Sequence, residues 1–237
     1  MSRPPVLTWL NHSEFLVTEF LESELSPERE YPIYFNHHYK EPLPEGKVYY
    51  YNIEQLTRNS EVQILQRLWA EGKIGEVWDY SKINCQILSN HNIPNQYIPF
   101  TLTSSRKEYY SNLIQEPISY DIGFCGALND RRNYVLKGLR EAGLRVLALH
   151  NAWGEERDKQ LAKCHSILNI HYANDYKVFE RARCEQWLSV GKPVISEDSL
   201  DNDERAICVP YEKLIETCLN YVRGTRVLFC ACGCAHP

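Results

Sequence analysis

Several absences narrow the reading of this 237-residue chain before any motif does. No apolar run approaches the ~20 residues that a membrane-spanning helix needs. Arg3-Pro4-Pro5 is followed only by the short apolar stretch VLTWL, so no secretory leader is expected. There is no basic excess: 26 Lys and Arg stand against 31 Asp and Glu, a net charge of −5, which argues against a protein that coats nucleic acid. Neither a dinucleotide fingerprint nor a Walker A loop occurs. The nearest approach to a metal-holding Asp-x-Asp triplet, Asp201-Asn202-Asp203, reads as loop, and no metal is expected. Paired cysteine knuckles are missing too. Cysteines stand singly at 85, 125, 164, 184, 208 and 218, inside apolar patterns where they act as small hydrophobes. Cys230, Cys232 and Cys234 with His236 make one knuckle where structural zinc sites pair two, so the tail is read as flexible. A reduced, cytoplasmic setting follows.

What is present is ordinary in bulk: 43% hydrophobic and 24% charged residues, the balance of a soluble globular protein. Sixteen Tyr and twelve Pro suit wide loops and aromatic-lined pockets, although most Tyr are expected to be plain core or surface. The pattern along the chain is strand, loop, helix, repeated. Strands are expected at 6–10, 31–35, 47–53, 75–78 and 96–99, with helices at 15–21 (Ser13 as its cap), 62–70 and 84–89 between them. A polar stretch over 103–118, helical around 109–114, reads as a linker. The alternation then resumes: strands at 121–125, 144–149, 166–171, 194–196 and 207–209, helices at 133–142, 155–163, 178–190 and 211–222. This predicts an α/β protein of two Rossmann-like domains, 1–102 and 119–237, whose strand ends face a shared cleft.

Polar residues follow the strands, where open parallel sheets bind ligands. Gly126 sits between a strand and a helix that opens with Arg131 and Arg132, an arrangement that suits a phosphate and equally suits a plain turn with solvated arginines. Asn169, His171 and Tyr172 lie at the end of the 166–171 strand, and Glu197 comes just past the next one. Glu180 and Arg183 share a helix face, which is either a ribose-binding carboxylate with its brace or a surface ion pair. These residues fit two reaction classes: transfer from a nucleotide-activated donor, and ligand capture without chemistry.

In combination, DIGFCGALNDRR, WGEERDKQLAKCHSILNIHY and FERARCEQWLSVGKPVISEDS over 121–199 resemble the donor-binding half of GT-B glycosyltransferases. YYNIEQL, EVWDYSKIN and QYIPF over 48–100 resemble the acceptor half of the compact forms found in large DNA viruses and bacteria. The resemblance implies a hexosyl- or deoxyhexosyltransferase that moves a sugar from a UDP- or GDP-type donor to an oligosaccharide hydroxyl, without a metal or other cofactor. Gly126, Arg131, Asn169, His171, Tyr172, Glu180, Arg183 and Glu197 would then bind the donor, with Glu180 on the ribose. Asn11, Ser13, Asn52, Glu54, Gln55 and Tyr80 would meet the acceptor. His12, Glu14 and Asp79 are the candidates for the general base that an inverting reaction needs. Many retaining members carry a second Glu further along the Glu180 helix; Leu188 stands there in this chain, which leaves the stereochemical course open. The alternatives are a non-catalytic glycan- or nucleotide-binding module and a nucleotide-sugar epimerase. The small size also raises the expectation that the chain is one part of a longer glycan-building protein.

Overall fold

The computed structural model describes residues 6–8, 31–36, 45–150 and 152–231, with side chains described except at 6–8, 35–36, 59 and 226–231. The expected helix at 15–21, the site candidates Asn11, His12, Ser13 and Glu14, and Cys232, Cys234 and His236 lie outside these residues. The protein is α/β, with two parallel five-stranded sheets of the Rossmann-like kind. It divides into two compact units. The first holds Met1–Arg106, Asn174–Glu185 and Ser199–Asp201; the second holds Lys107–Ala173, Gln186–Asp198 and Asn202–Pro237.

In the first unit the strands are β1 (Val6–Thr8), β2 (Ile33–Asn36), β3 (Val48–Asn52), β4 (Ile74–Asp79) and β5 (Asn95–Tyr97). They pair in sequential order, all parallel. A parallel sheet is covered on both faces, so its central strands read as unbroken apolar runs. Tyr50 and Tyr51 illustrate this. Tyr50 packs with Tyr34, Val77, Val62 and Leu65, under helices α1 (Asn59–Ala70) and α2 (Lys82–Asn90). Tyr51 joins Ile33, Trp78, Tyr80, Phe100 and Val178 on the opposite face. Each such fully buried side chain contributes roughly 1.5–3 kcal/mol of hydrophobic stabilisation. Ser81 caps α2 as its hydroxyl accepts from the N–H groups of Ile83 and Asn84.

Helix α3 (Ser104–Leu113) lies in the stretch expected to be a linker helical around 109–114, and its first three residues belong to the first unit. The strands of the second unit are β6 (Tyr120–Cys125), β7 (Val146–Leu149), β8 (Cys164–Asn169), β9 (Val194–Glu197) and β10 (Ile207–Val209). Here the order is β10-β9-β8-β6-β7. Helix α4 (Asp130–Glu141) and helix α7 (Leu214–Ala231) cover one face, where Val135, Leu139, Leu214 and Cys218 pack on Ile122, Phe124 and Leu168. Helix α5 (Gly154–Ala162) packs on β6 and β8. At Gly123 a Cβ would fall 2.6 Å from Cys164 Sγ and 3.1 Å from Leu161 Cδ2, so only glycine admits that approach.

The helix expected over 178–190 is shorter: α6 covers Arg181–Leu188. Val178 and Phe179 are buried as the apolar stripe implied, yet they are not helical, because their backbone groups bond to the side chains of Gln55 and Asp201.

Candidate functional site

At the carboxyl edge of the first sheet, Asn52 ends β3 and Asp79 ends β4, side by side in register. Asp79 is 0% exposed. Its Oδ2 accepts from Asn52 Nδ2 at 2.6 Å, and its Oδ1 accepts from the Ser81 N–H at 2.7 Å and Asn84 Nδ2 at 3.2 Å. Asn52 and Asn84 also both donate to the Glu54 carbonyl, at 2.8 and 2.9 Å. Burial pushes the Asp79 carboxyl up to about 8, against the pull of those donors. A general base needs a lone pair facing the substrate hydroxyl. Asp79 instead turns both oxygens into the network that joins the loops after β3 and β4.

The described candidate acceptor residues of this unit, Asn52, Glu54, Gln55 and Tyr80, are buried as well. The Gln55 amide is engaged with Val178, donating to its carbonyl at 3.0 Å and accepting from its N–H at 2.8 Å. Tyr80 stacks on Phe100 with centroids 5.0 Å apart. Glu180 and Arg183 do form the ion pair that their spacing predicted, at 2.6 Å and partly buried. They belong to the first unit, whereas the sequence reading grouped them with the other donor residues.

The second sheet offers a different edge. Its order places β6 beside β8, with β7 outside β6, so the chain reverses direction between β6 and β8. That is the topological switch point at which open α/β sheets bind ligands. The residues following those strands gather there. Gly126 takes φ 154°, a value side-chain-bearing residues rarely adopt, and its N–H is bonded to the Leu149 carbonyl at 3.1 Å. Asn129 caps α4 and reaches over to donate to the Tyr172 carbonyl at 2.7 Å. Arg132, buried, donates to the carbonyls of Ala127 and Ile170 and so ties the loop after β6 to the loop after β8. Both residues were missed as organisers of the site, although Asn129 four residues past a strand is a capping signal.

Arg131 does not present its fork to solvent. It forms a bidentate pair with Glu197, donates to the His171 carbonyl at 3.1 Å, and lies 3.8 Å over the Tyr211 ring. Glu197 also accepts from the His171 N–H at 3.1 Å. Asn169 is fully buried, with its amide donating to Ser196 Oγ at 3.0 Å, and buried His171 bonds through Nε2 to the Asp198 carbonyl at 3.2 Å. These polar residues form a rigid floor. Beside it, Leu128, Trp153 and Tyr172, large apolar side chains that follow β6, β7 and β8, are 39%, 56% and 41% exposed. Tyr172 also faces the Arg132 guanidinium at 5.3 Å. Trp153 and Leu128 escaped notice because an isolated exposed apolar residue carries no local pattern.

Among the described residues no group of three His, Cys, Asp or Glu could hold a metal ion. No helix among them is long and apolar enough to cross a membrane. No protein-family model matches the chain. It is similar to the uncharacterized protein L138 of Acanthamoeba polyphaga mimivirus, 34% identical over 182 residues, which is 73% of this chain and 20% of the relative. It is likewise similar to uncharacterized protein L137 of that virus, 34% identical over 151 residues, covering 63% of this chain and 20% of the relative. A third, uncharacterized protein L140 of the same virus, is 32% identical over 159 residues, covering 62% of this chain and 51% of the relative. The chain therefore spans about a fifth of the first two relatives and half of the third, and its similarity is to one part of each.

Proposed function

We propose that the protein is a GT-B-type glycosyltransferase that takes a nucleotide-diphosphate sugar on its second unit and transfers the sugar to a glycan hydroxyl. The observation that carries the reading is the switch point between β6 and β8, rimmed by exposed Leu128, Trp153 and Tyr172. A flat aromatic edge over a rigid polar floor suits a nucleobase, which offers a π face for stacking and polar edges for hydrogen bonds. The N-terminus of α4, capped by Asn129, supplies a dipole that favours the diphosphate. Arg131 enters this reading as a brace that holds His171 and Glu197 in place, since its guanidinium is already paired.

The test is a thermal-shift panel with UDP, GDP, TDP, CMP and ADP, each with and without divalent metal. A ligand that binds only the native state raises the melting temperature by mass action. The expected result is a shift with one nucleotide diphosphate, indifferent to metal and abolished in Tyr172→Ala. A panel with no shift at all overturns the proposal. One observation favours a second reading, a nucleotide- or glycan-binding module that performs no transfer. Asp79, the described candidate for the base, has both carboxylate oxygens engaged and no exposure. Turnover of the donor sugar separates the two readings.

A further inference from the structure

The closed network at the ends of β3 and β4 has a more open neighbour. Register pairs Asp79 with Tyr97, the last residue of β5, and β5 is the outermost strand of its sheet. Tyr97 is 37% exposed, and among the described residues its hydroxyl meets no hydrogen-bond partner. Lys82, the first residue of α2, is exposed and holds its ammonium over the Tyr97 ring, 5.3 Å from the centroid. No carboxylate among the described residues pairs with it. The carboxylates that bear on Tyr97 are committed elsewhere. Asp201 accepts from the Phe179 N–H at 2.7 Å and the Ser81 hydroxyl at 2.8 Å, and Glu185 lies 3.9 Å from the Arg181 guanidinium. Burial raises the Tyr97 phenol above its ordinary value, and Arg181 nearby pulls against that rise. A cation at the first position of a helix opposes the helix dipole, and the first turn of α2 carries no acidic side chain to offset it. In a chain of net charge −5, this lysine runs against both the local rule and the overall balance, and such conflicts mark functional sites.

We infer that Lys82 and Tyr97 form a subsite for the carboxylate of an acidic sugar, so that the acceptor is a uronate-bearing glycan. The ammonium and the phenol O–H are both donors, and the two oxygens of one carboxylate accept from both. The exposed part of the ring gives the C–H groups of the sugar an apolar surface. The inference rests on the proposed reading, in which the first unit takes the acceptor. It moves acceptor recognition from Asn52, Gln55 and Tyr80, whose side chains are engaged within the unit, to the outer strand beside them.

The experiment is isothermal titration of the full chain with trigalacturonic acid and with the neutral galactotriose, using wild type, Lys82→Gln and Tyr97→Phe. The expected result is binding of the acid, weakened by salt, with the neutral sugar bound roughly tenfold more weakly. Lys82→Gln should lose that preference, and Tyr97→Phe, which keeps the ring, should lose part of it. Lys82→Gln should also melt no lower than wild type, since it removes the conflict with the dipole. Equal binding of the two sugars, binding of neither, or wild-type affinity in Lys82→Gln would overturn the inference. So would displacement of the acid by an equal concentration of inorganic phosphate, which would leave a plain anion site, or a clear fall in the melting temperature of Lys82→Gln, which would make Lys82 structural. The nucleotide panel is read separately. A chain that binds a nucleotide and neither sugar loses this inference alone, and one that binds the acid and no nucleotide loses the transferase reading and keeps the subsite.

Discussion

The two sheets share a build and differ at the edge where parallel sheets bind ligands. In the first, strands follow one another in sequential order, and at the carboxyl ends of β3 and β4 the edge is closed by buried side chains bonded to one another: Asn52, Asp79, Ser81 and Asn84. In the second, the order reverses between β6 and β8, and the edge carries the partly exposed Leu128, Trp153 and Tyr172 beside the Arg131–Glu197 pair that follows β6 and β9. Sequential order sends every crossover the same way, which leaves no crevice; a reversal splays two crossovers apart and makes one. Polar residues after strands were the common signal in both halves. The difference shows that such residues mark a binding edge only where topology keeps the edge open, and elsewhere serve to tie loops together.

The strongest way to break this contrast is Asp79→Ala. It removes the acceptor of the Ser81 N–H and of one N–H on each of the Asn52 and Asn84 amides in a dry site, and about 3–5 kcal/mol of stability should be lost, read by urea denaturation. A loss under about 1 kcal/mol would mean that the first edge is not the closed network described. Next, Arg131→Met should cost roughly 2–4 kcal/mol, since it strands the Glu197 carboxylate beside the buried His171. If Arg131 were mainly a phosphate ligand, the variant would instead keep its melting temperature and lose only nucleotide affinity.

The pH response should separate the units. The Asp79 carboxyl is raised by burial to about 8 when folded, against an unfolded value of about 4, so the native state holds that proton more tightly. Its stabilisation is complete below about pH 4 and is lost as the pH rises through about 8. In the second unit Lys192, buried and donating to the Cys164 carbonyl, is lowered by burial to about 8 from an ordinary 10.5. Its contribution is complete above about pH 10.5 and is lost as the pH falls through about 8. Hydrogen exchange read separately on β3–β4 and β6–β8 peptides should therefore show the first unit weakening from pH 5 to 8, and the second strengthening from pH 8 to 10. Lys192→Met should remove the second slope.

The smallest stability effect belongs to Tyr172→Ala and Glu180→Ala. An exposed ring and a partly exposed ion pair each contribute under about 1 kcal/mol. Both variants should melt within a few degrees of wild type, and Tyr172→Ala should lose the nucleotide-induced shift. A large drop in melting temperature for either would make it a structural residue.

Much of the fold was legible. The strand at 47–53, read from its run of Val, Tyr and Ile, is observed as Val48–Asn52, and the helix at 133–142 as Asp130–Glu141. Such elements announce themselves locally, because a strand buried on both faces is a short apolar run and a helix is a stripe of period 3.6. The helix at 178–190 was overextended. Val178 and Phe179 continue its stripe, and nothing within the segment reveals that Gln55 and Asp201 take their backbone groups. The ion pair of Glu180 with Arg183 was visible because it lies within one helical turn.

By itself, then, the sequence determined the alternation of strands and helices, the α/β class and the two sheets, since burial periodicity is written in consecutive residues. Tertiary structure alone decided which polar residues stand open and which are tied down. The Arg131 fork meets a carboxylate 66 positions away, and the Gln55 amide meets a peptide 123 positions away. A side chain's hydrogen-bonding capacity is a local property, but the partner that satisfies it is set by how distant segments pack, and a charged group already paired in a buried site is no longer available to a ligand.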